Sequence, residues 1–245
     1  VVTTERVREK VWVALTLALV GGFVDAVGYI TLLGVFIAHM SGNSAAMGAH
    51  FGQGKAMAGL ARAAPIPLFV TGVAGGAVLI EVLARRGVRS TAAVVLGLEA
   101  LLLLAVLVVG DAALVHGQVA AQKGWTFYGL IVLAATAMGL QTSALRRLAG
   151  QTVRTTFVTG MLTHLGEEAA KFALPSSRPS ASASRLRLLA LVWICYAAGA
   201  VFGGWAHGQW SVNALVVPLA ILVALVAVDV VRPIHAPGDR ALVNV

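Results

Sequence analysis

The sequence predicts an all-α integral membrane protein, with six transmembrane helices arranged as two inverted three-helix repeats, each carrying a re-entrant or interfacial segment after its first helix. Three observations carry this expectation. Hydrophobic residues make up 59% of the chain and charged residues 11%, against roughly 45–50% and about 25% in soluble domains. Six apolar runs are each long enough to cross a bilayer. One signature also occurs twice: Gly21–Gly48 reads GGFVDAVGYITLLGVFIAHMSGNSAAMG and Gly139–Gly166 reads GLQTSALRRLAGQTVRTTFVTGMLTHLG. A duplicated half in so apolar a chain is a common plan for membrane transporters.

The first run, about Val11–Leu33, follows Arg6, Arg8 and Lys10. It is too long for a signal-peptide core and further spans follow, so a retained helix is expected. Its sequel Val35–Gly52 is glycine-rich and only half apolar, which suits a re-entrant or interfacial segment. Ala63–Ala84 and Thr91–Gly110 complete the first repeat, about residues 11–110. The second repeat, about 124–231, is expected to contain the span Gly124–Ala144, the polar tail Gln151–Ala173, and the spans Leu186–His207 and Ser211–Val231. Between tail and span, PSSRPSASAS (Pro175–Ser184) reads as a cytoplasmic loop over 174–185. Residues 1–245 form a single membrane domain in this reading.

Charge sets the expected orientation. With both termini in the cytoplasm, all but Lys55, Arg62 and Lys123 of the 18 basic residues face inward, as the positive-inside rule requires. The net charge of +8 then serves orientation and anionic inner-leaflet lipid, not nucleic acid. The expected location is a bacterial cytoplasmic (inner) membrane. The single cysteine, Cys195, lies in an apolar run, so neither a disulfide framework nor a cysteine metal cluster is expected.

The duplication extends past the signature. Phe69-Val70-Thr71-Gly72 with Gly76 matches Tyr196-Ala197-Ala198-Gly199 with Gly203. Three spans per half is an odd number, so the copies should enter the membrane from opposite faces, related by a pseudo-two-fold axis in its plane. Each Gly-x-x-x-Gly puts two glycines on one helix face, where backbones can approach closely. Gly72 and Gly76 are expected to meet Gly199 and Gly203 across that axis, or to form a contact between two copies of the chain.

Three stretches resemble a known family. Gly22-Phe23-Val24-Asp25-Ala26, Ala38-His39-Met40-Ser41-Gly42-Asn43 and Val153-Arg154-Thr155-Thr156-Phe157-Val158-Thr159-Gly160 together resemble the YoaK family of bacterial inner-membrane proteins. The resemblance implies a multi-span helical membrane protein of about this length, and no established substrate. Ser41 and Ser44 stand where the family pattern has threonines, preserving the hydroxyls.

Candidate site residues therefore come from chemistry. Asp25 sits near the middle of its span, where a carboxylate costs on the order of 2.5–3.5 kcal/mol, so it should face the interior and have a partner. Tyr29, one turn later on the same face, is a candidate to bond it or a ligand. Glu99 is the other deep acid; two such acids in one half are compatible with proton-coupled transport. Glu81, Asp111 and Asp229 lie near span ends and read as solvated or paired with arginines. In the first tail, His39, Ser41, Gly42 and Asn43 are suited to line a polar path, since irregular polar backbone at membrane depth is tolerated only beside protein or a wet cavity. His39, Asn43 and His50 share a helical face, but without a nearby carboxylate they make a poor metal set; neither metal nor cofactor is expected.

In the second copy Ser143 falls on Asp25, and Gln141, Arg154, Thr159, Gly160, Thr163 and His164 are the corresponding polar candidates. The guanidinium of Arg154 could hold an anionic group. The halves are thus chemically unequal. Walker, HExxH and GxSxG patterns are missing from the sequence, and no enzyme is expected. The leading functional expectation is a secondary transporter or facilitator for a small polar solute, proton-coupled if Asp25 titrates, with its site between the halves. The alternatives are a structural or regulatory membrane protein assembling through glycine-rich faces, and a passive channel.

Overall fold

The computed structural model describes residues 4–115, 124–149, 158–173 and 179–233. Among them every regular element is helical: α1 (Thr4–Thr31), α2 (Met40–Gly52), α3 (Ala56–Ala63), α4 (Pro65–Arg85), α5 (Thr91–Val115), α6 (Trp125–Ala149), α7 (Val158–Ala173), α8 (Pro179–Trp210) and α9 (Val216–Val231), with a 3-10 turn at Ser211–Leu215. Five stretches are long and apolar enough to cross a membrane: Val11–Thr31, Ala56–Arg85, Thr91–Ala112, Trp125–Leu145 and Leu186–Val231. Outward-facing Trp12, Val70, Leu101, Val201 and Val231 are all more than half exposed, as a lipid-facing shell requires and a water-facing one does not.

Glycines decide which helices touch. On α4, a Cβ added to Gly72 would meet the Thr136 carbonyl oxygen and lie 3.1 Å from the Gly139 Cα of α6, and one on Gly76 would lie 3.0 Å from the Ser143 Cβ. On α8, a Cβ on Gly199 would meet Leu19 of α1, and one on Gly203 would lie 2.6 Å from the Phe23 carbonyl oxygen. Backbones pack directly at both seams, which only residues without side chains permit. The two Gly-x-x-x-Gly faces therefore do not meet one another, contrary to the contact expected from the sequence. Each instead packs on another helix of the same chain, α4 on α6 and α8 on α1.

Helix directions follow from the same contacts. Residue numbers rise together along α1 and α8 and along α4 and α6. They run oppositely between α1 and α6, where Gly21 faces Gln141 while Val27 and Leu130 share a cavity. They also run oppositely between α5 and α6, where Gly110 approaches Leu130, and between α5 and α9. There Asn213 binds Asp111 at one end and Asp229 binds Ala93 at the other. The chain thus reverses inside the Leu186–Val231 stretch, at Ser211, a non-glycine residue with φ +53°.

Several expected boundaries shift. The second span begins at Ala56 instead of Ala63, because α3 runs into α4 through a helical Ala64, with Pro65 at the first position of α4, where its missing N–H costs nothing. Residues 179–185 of the expected cytoplasmic loop are helical, forming the start of α8. The rest of that loop, 174–178, lies outside the described residues, as do residues 150–157 before α7. Asp229 is not solvated but buried, its carboxylate accepting the Ala93 N–H at 2.8 Å and so capping the first turn of α5.

Candidate functional site

The site is built where α1 ends. Gly34 N–H donates to the Tyr29 carbonyl at 2.8 Å and Leu33 N–H to that of Ile30 at 3.3 Å, a Schellman pair that closes the helix. Leu33 takes the left-handed position, φ +53°, that glycine usually occupies, with Gly34 following at φ +85°. From α3, the buried Arg62 reaches over and donates from Nη2 to the Leu33 carbonyl at 3.0 Å. Thrown back by this turn, the segment from Val35 to Ala38 returns alongside α1. It reaches the level of Asp25, six residues and about 9 Å before Thr31.

Asp25 organises what it meets there. It is 3% exposed, and its Oδ1 accepts N–H bonds from Ile37 at 3.2 Å and Ala38 at 3.0 Å. Its Oδ2 takes a short hydrogen bond from His39 Nδ1 and one from the Tyr196 hydroxyl at 2.8 Å. Four donors thus converge on one carboxylate, two from irregular backbone and two from side chains. Tyr196 and His39 also touch edge to face, with ring centres 5.5 Å apart. Burial lowers the His39 imidazole; the hydrogen bond and charge of Asp25 outweigh it, leaving His39 above the usual histidine range. Its side chain is 22% exposed, so one edge of the cluster is open.

Asn43 keeps the returning segment in place. Fully buried, it accepts the Phe36 N–H at 3.0 Å and donates to the Phe36 carbonyl at 2.6 Å. The Phe36 ring lies against Gly42, where a Cβ would come within 3.0 Å of it, and packs on Tyr29 with centres 4.5 Å apart.

Residues 13–228 match the model of a family described as a protein of unknown function (DUF1275). The chain belongs to this family. No curated protein and no solved structure matches it. Membership in the family brings no assigned activity, so the chemistry of the chain rests on its own geometry.

That geometry sorts the sequence candidates. Asp25, His39, Gly42 and Asn43 come together around the loop. Tyr29 does not bond Asp25; it is 42% exposed and stacks on Phe36 instead, because Tyr196 of α8 already occupies the carboxylate. Ser41 is exposed on the outer face of α2. His39 does have a carboxylate beside it, contrary to the reading that set it aside as a ligand. Among the described residues no cluster of three His, Cys, Asp or Glu could hold a metal.

The second copy is built differently. Ser143 turns back on its own helix, donating to the Leu140 carbonyl at 2.8 Å. Gln141 is fully buried and donates to the Leu17 carbonyl at 3.3 Å. Thr163 and His164 are exposed on α7, where His164 lies 3.3 Å from Glu167. Gly160 sits half-buried in that helix and Thr159 in its first turn. Arg154 lies outside the described residues.

Sequence reasoning missed Tyr196, the residue that ties α8 to Asp25 of α1. Its signal was present: in the repeat alignment it replaces Phe69, adding one hydroxyl to an otherwise apolar helix face. Arg62 and His207 were missed as well. His207 Nε2 pairs with the Thr31 hydroxyl at 3.1 Å, joining α8 to the end of α1.

Proposed function

We propose that this chain is a secondary transporter or facilitator of a small polar solute in the bacterial inner membrane. In this reading it is built from two inverted three-helix halves, with both termini cytoplasmic, and its polar centre is the Asp25–His39–Tyr196 cluster. The observation that carries the reading is the carboxylate of Asp25. It lies inside a span, gripped by irregular backbone of one half and by a hydroxyl from the other. Unwound backbone around an intramembrane acid at a seam between repeats is how secondary transporters bind solutes and coupling ions.

The helix directions support the inverted arrangement: α1, α4 and α5 alternate in one sense and α6, α8 and α9 in the opposite sense. The cross-packing of α1 with α8 and of α4 with α6 is what a two-fold relation would produce. The resemblance to YoaK proteins fits the same placement. Assembly through the glycine faces is disfavoured, because those faces are filled within the chain.

A proton role is natural for the cluster. Protonating Asp25 would weaken the bonds it accepts from Ile37, Ala38, His39 and Tyr196, loosening the segment that Asn43 still holds at Phe36. The test is reconstitution in liposomes with a panel of labelled amino acids, sugars and polyols, alongside a pH-sensitive dye trapped inside. Uptake by the wild type that Asp25→Asn abolishes supports the reading. No movement of any solute or proton ends it, and ionic currents far above carrier rates would make the protein a channel.

A further inference from the structure

Glu99 is a buried acid outside the Asp25 cluster. Along α5 the buried positions Val95, Leu96, Glu99, Leu103 and Val106 recur at helical spacing, placing Glu99 on the inward stripe. It is fully buried, and neither carboxyl oxygen has a hydrogen-bond partner among the described residues. One turn further along the stripe, Leu103 and Val106 line a small apolar cavity together with Val27, Leu130 and Ala134. Thr31, whose hydroxyl is joined to His207, lines the same cavity.

The facing helix carries a second buried polar group. Leu103 and Ala134 share the cavity and α5 and α6 are antiparallel, so Gln141 lies within about one helical turn of the level of Glu99. Gln141 Oε1 is also buried without a partner. That oxygen lies on the α1 side, 3.3 Å from where a Cβ on Gly21 would stand, so Glu99 and Gln141 are two separate buried groups.

Charged groups on the packed elements stand away along the axis. Asp229 of α9 binds Ala93, about 9 Å before Glu99, and Asp111 lies about 18 Å beyond it. On α4 the Glu81–Arg85 pair is exposed at the helix end. On α1, Asp25 is held by its own four donors. Among the described residues, a carboxylate at Glu99 would therefore have neither donor nor counter-ion, a state worth several kcal/mol of penalty that the neutral acid escapes.

We infer that Glu99 is an intramembrane proton-binding site, separate from Asp25, on the inward stripe of α5. The inference requires only the membrane placement of α5 and does not rest on the transporter reading.

Dicyclohexylcarbodiimide, an apolar reagent that adds to protonated carboxyl groups, tests it on the intact protein in liposomes, with the adduct located by peptide mass spectrometry. The expected result is an adduct on Glu99 that diminishes as pH rises, persists in Asp25→Asn and is lost in Glu99→Gln. The wild-type result and its pH dependence stand alone if Glu99→Gln fails to fold. No adduct on Glu99, or a yield indifferent to pH, overturns the inference. Labelling without any solute movement would sink the transporter reading and leave this one standing; solute movement without labelling would do the reverse.

Discussion

Tyr196→Phe removes a single oxygen and keeps the ring, so it isolates the bond that ties α8 to Asp25. That hydroxyl donates at 2.8 Å to a carboxylate only 3% exposed, so water does not replace it. A hydrogen bond to a charged group is worth about 1.5–3 kcal/mol. Interhelical bonds in membranes average nearer ~0.6 kcal/mol, with a maximum of about 1.7, because the unfolded helices find other partners. Oδ2 keeps His39 after the substitution, which argues for the overlap of the two ranges. The expected loss is about 1.5 kcal/mol, roughly tenfold in the unfolding equilibrium. The assay is equilibrium unfolding in mixed micelles of the wild type, Tyr196→Phe, Asp25→Asn and the double variant. If the hydroxyl acts through Asp25, the double variant loses about 1 kcal/mol less than the sum of the singles. Additivity within about 0.5 kcal/mol would refute a direct link between the two side chains.

Stability should also depend on pH through His39. Its native imidazole lies above the usual histidine range. Its contribution is therefore complete below about pH 6.5 and lost as pH rises through the native value; thermal scans should show this fall in the wild type and not in His39→Gln. Gly22→Ala places a Cβ 2.8 Å from the Tyr196 carbonyl carbon, and forcing α1 from α8 should cost on the order of 1–3 kcal/mol in the same unfolding assay. Gly48→Ala is the contrasting case: nothing lies within 4 Å, and a gain of about 0.4–1 kcal/mol is expected. Removing the cap in Asp229→Ala should cost about 0.5–2 kcal/mol, read as faster amide exchange in the first turn of α5.

Much of this fold is legible in the sequence because lipid enforces it. Long apolar runs must become helices, since no other local structure satisfies the backbone in hydrocarbon, and the main spans follow within a turn or two. Asp25 and the His39–Asn43 tail could be singled out for the same reason: polar groups at that depth need partners. Their partners could not. Whether Tyr29 or Tyr196 reaches Asp25 depends on how far the chain overshoots before Leu33 and Gly34 turn it back, and on which helix the glycines admit. Gly72 and Gly199 announce close approach but not to what. Asp229 looked like a surface acid because it lies near a span end, yet α5 begins beside it and needs an acceptor. Nothing in the sequence marks Arg62 as the donor to the carbonyl at the end of α1.

The inequality of the two copies has a consequence for stoichiometry. In the two-repeat reading Phe69 and Ser143 stand where Tyr196 and Asp25 stand in the other copy, so only one of the two equivalent places carries the acid and the hydroxyl. In the proposed transporter reading a single polypeptide then binds one solute at this centre, and any sigmoidal response in a reconstituted preparation would have to arise between chains.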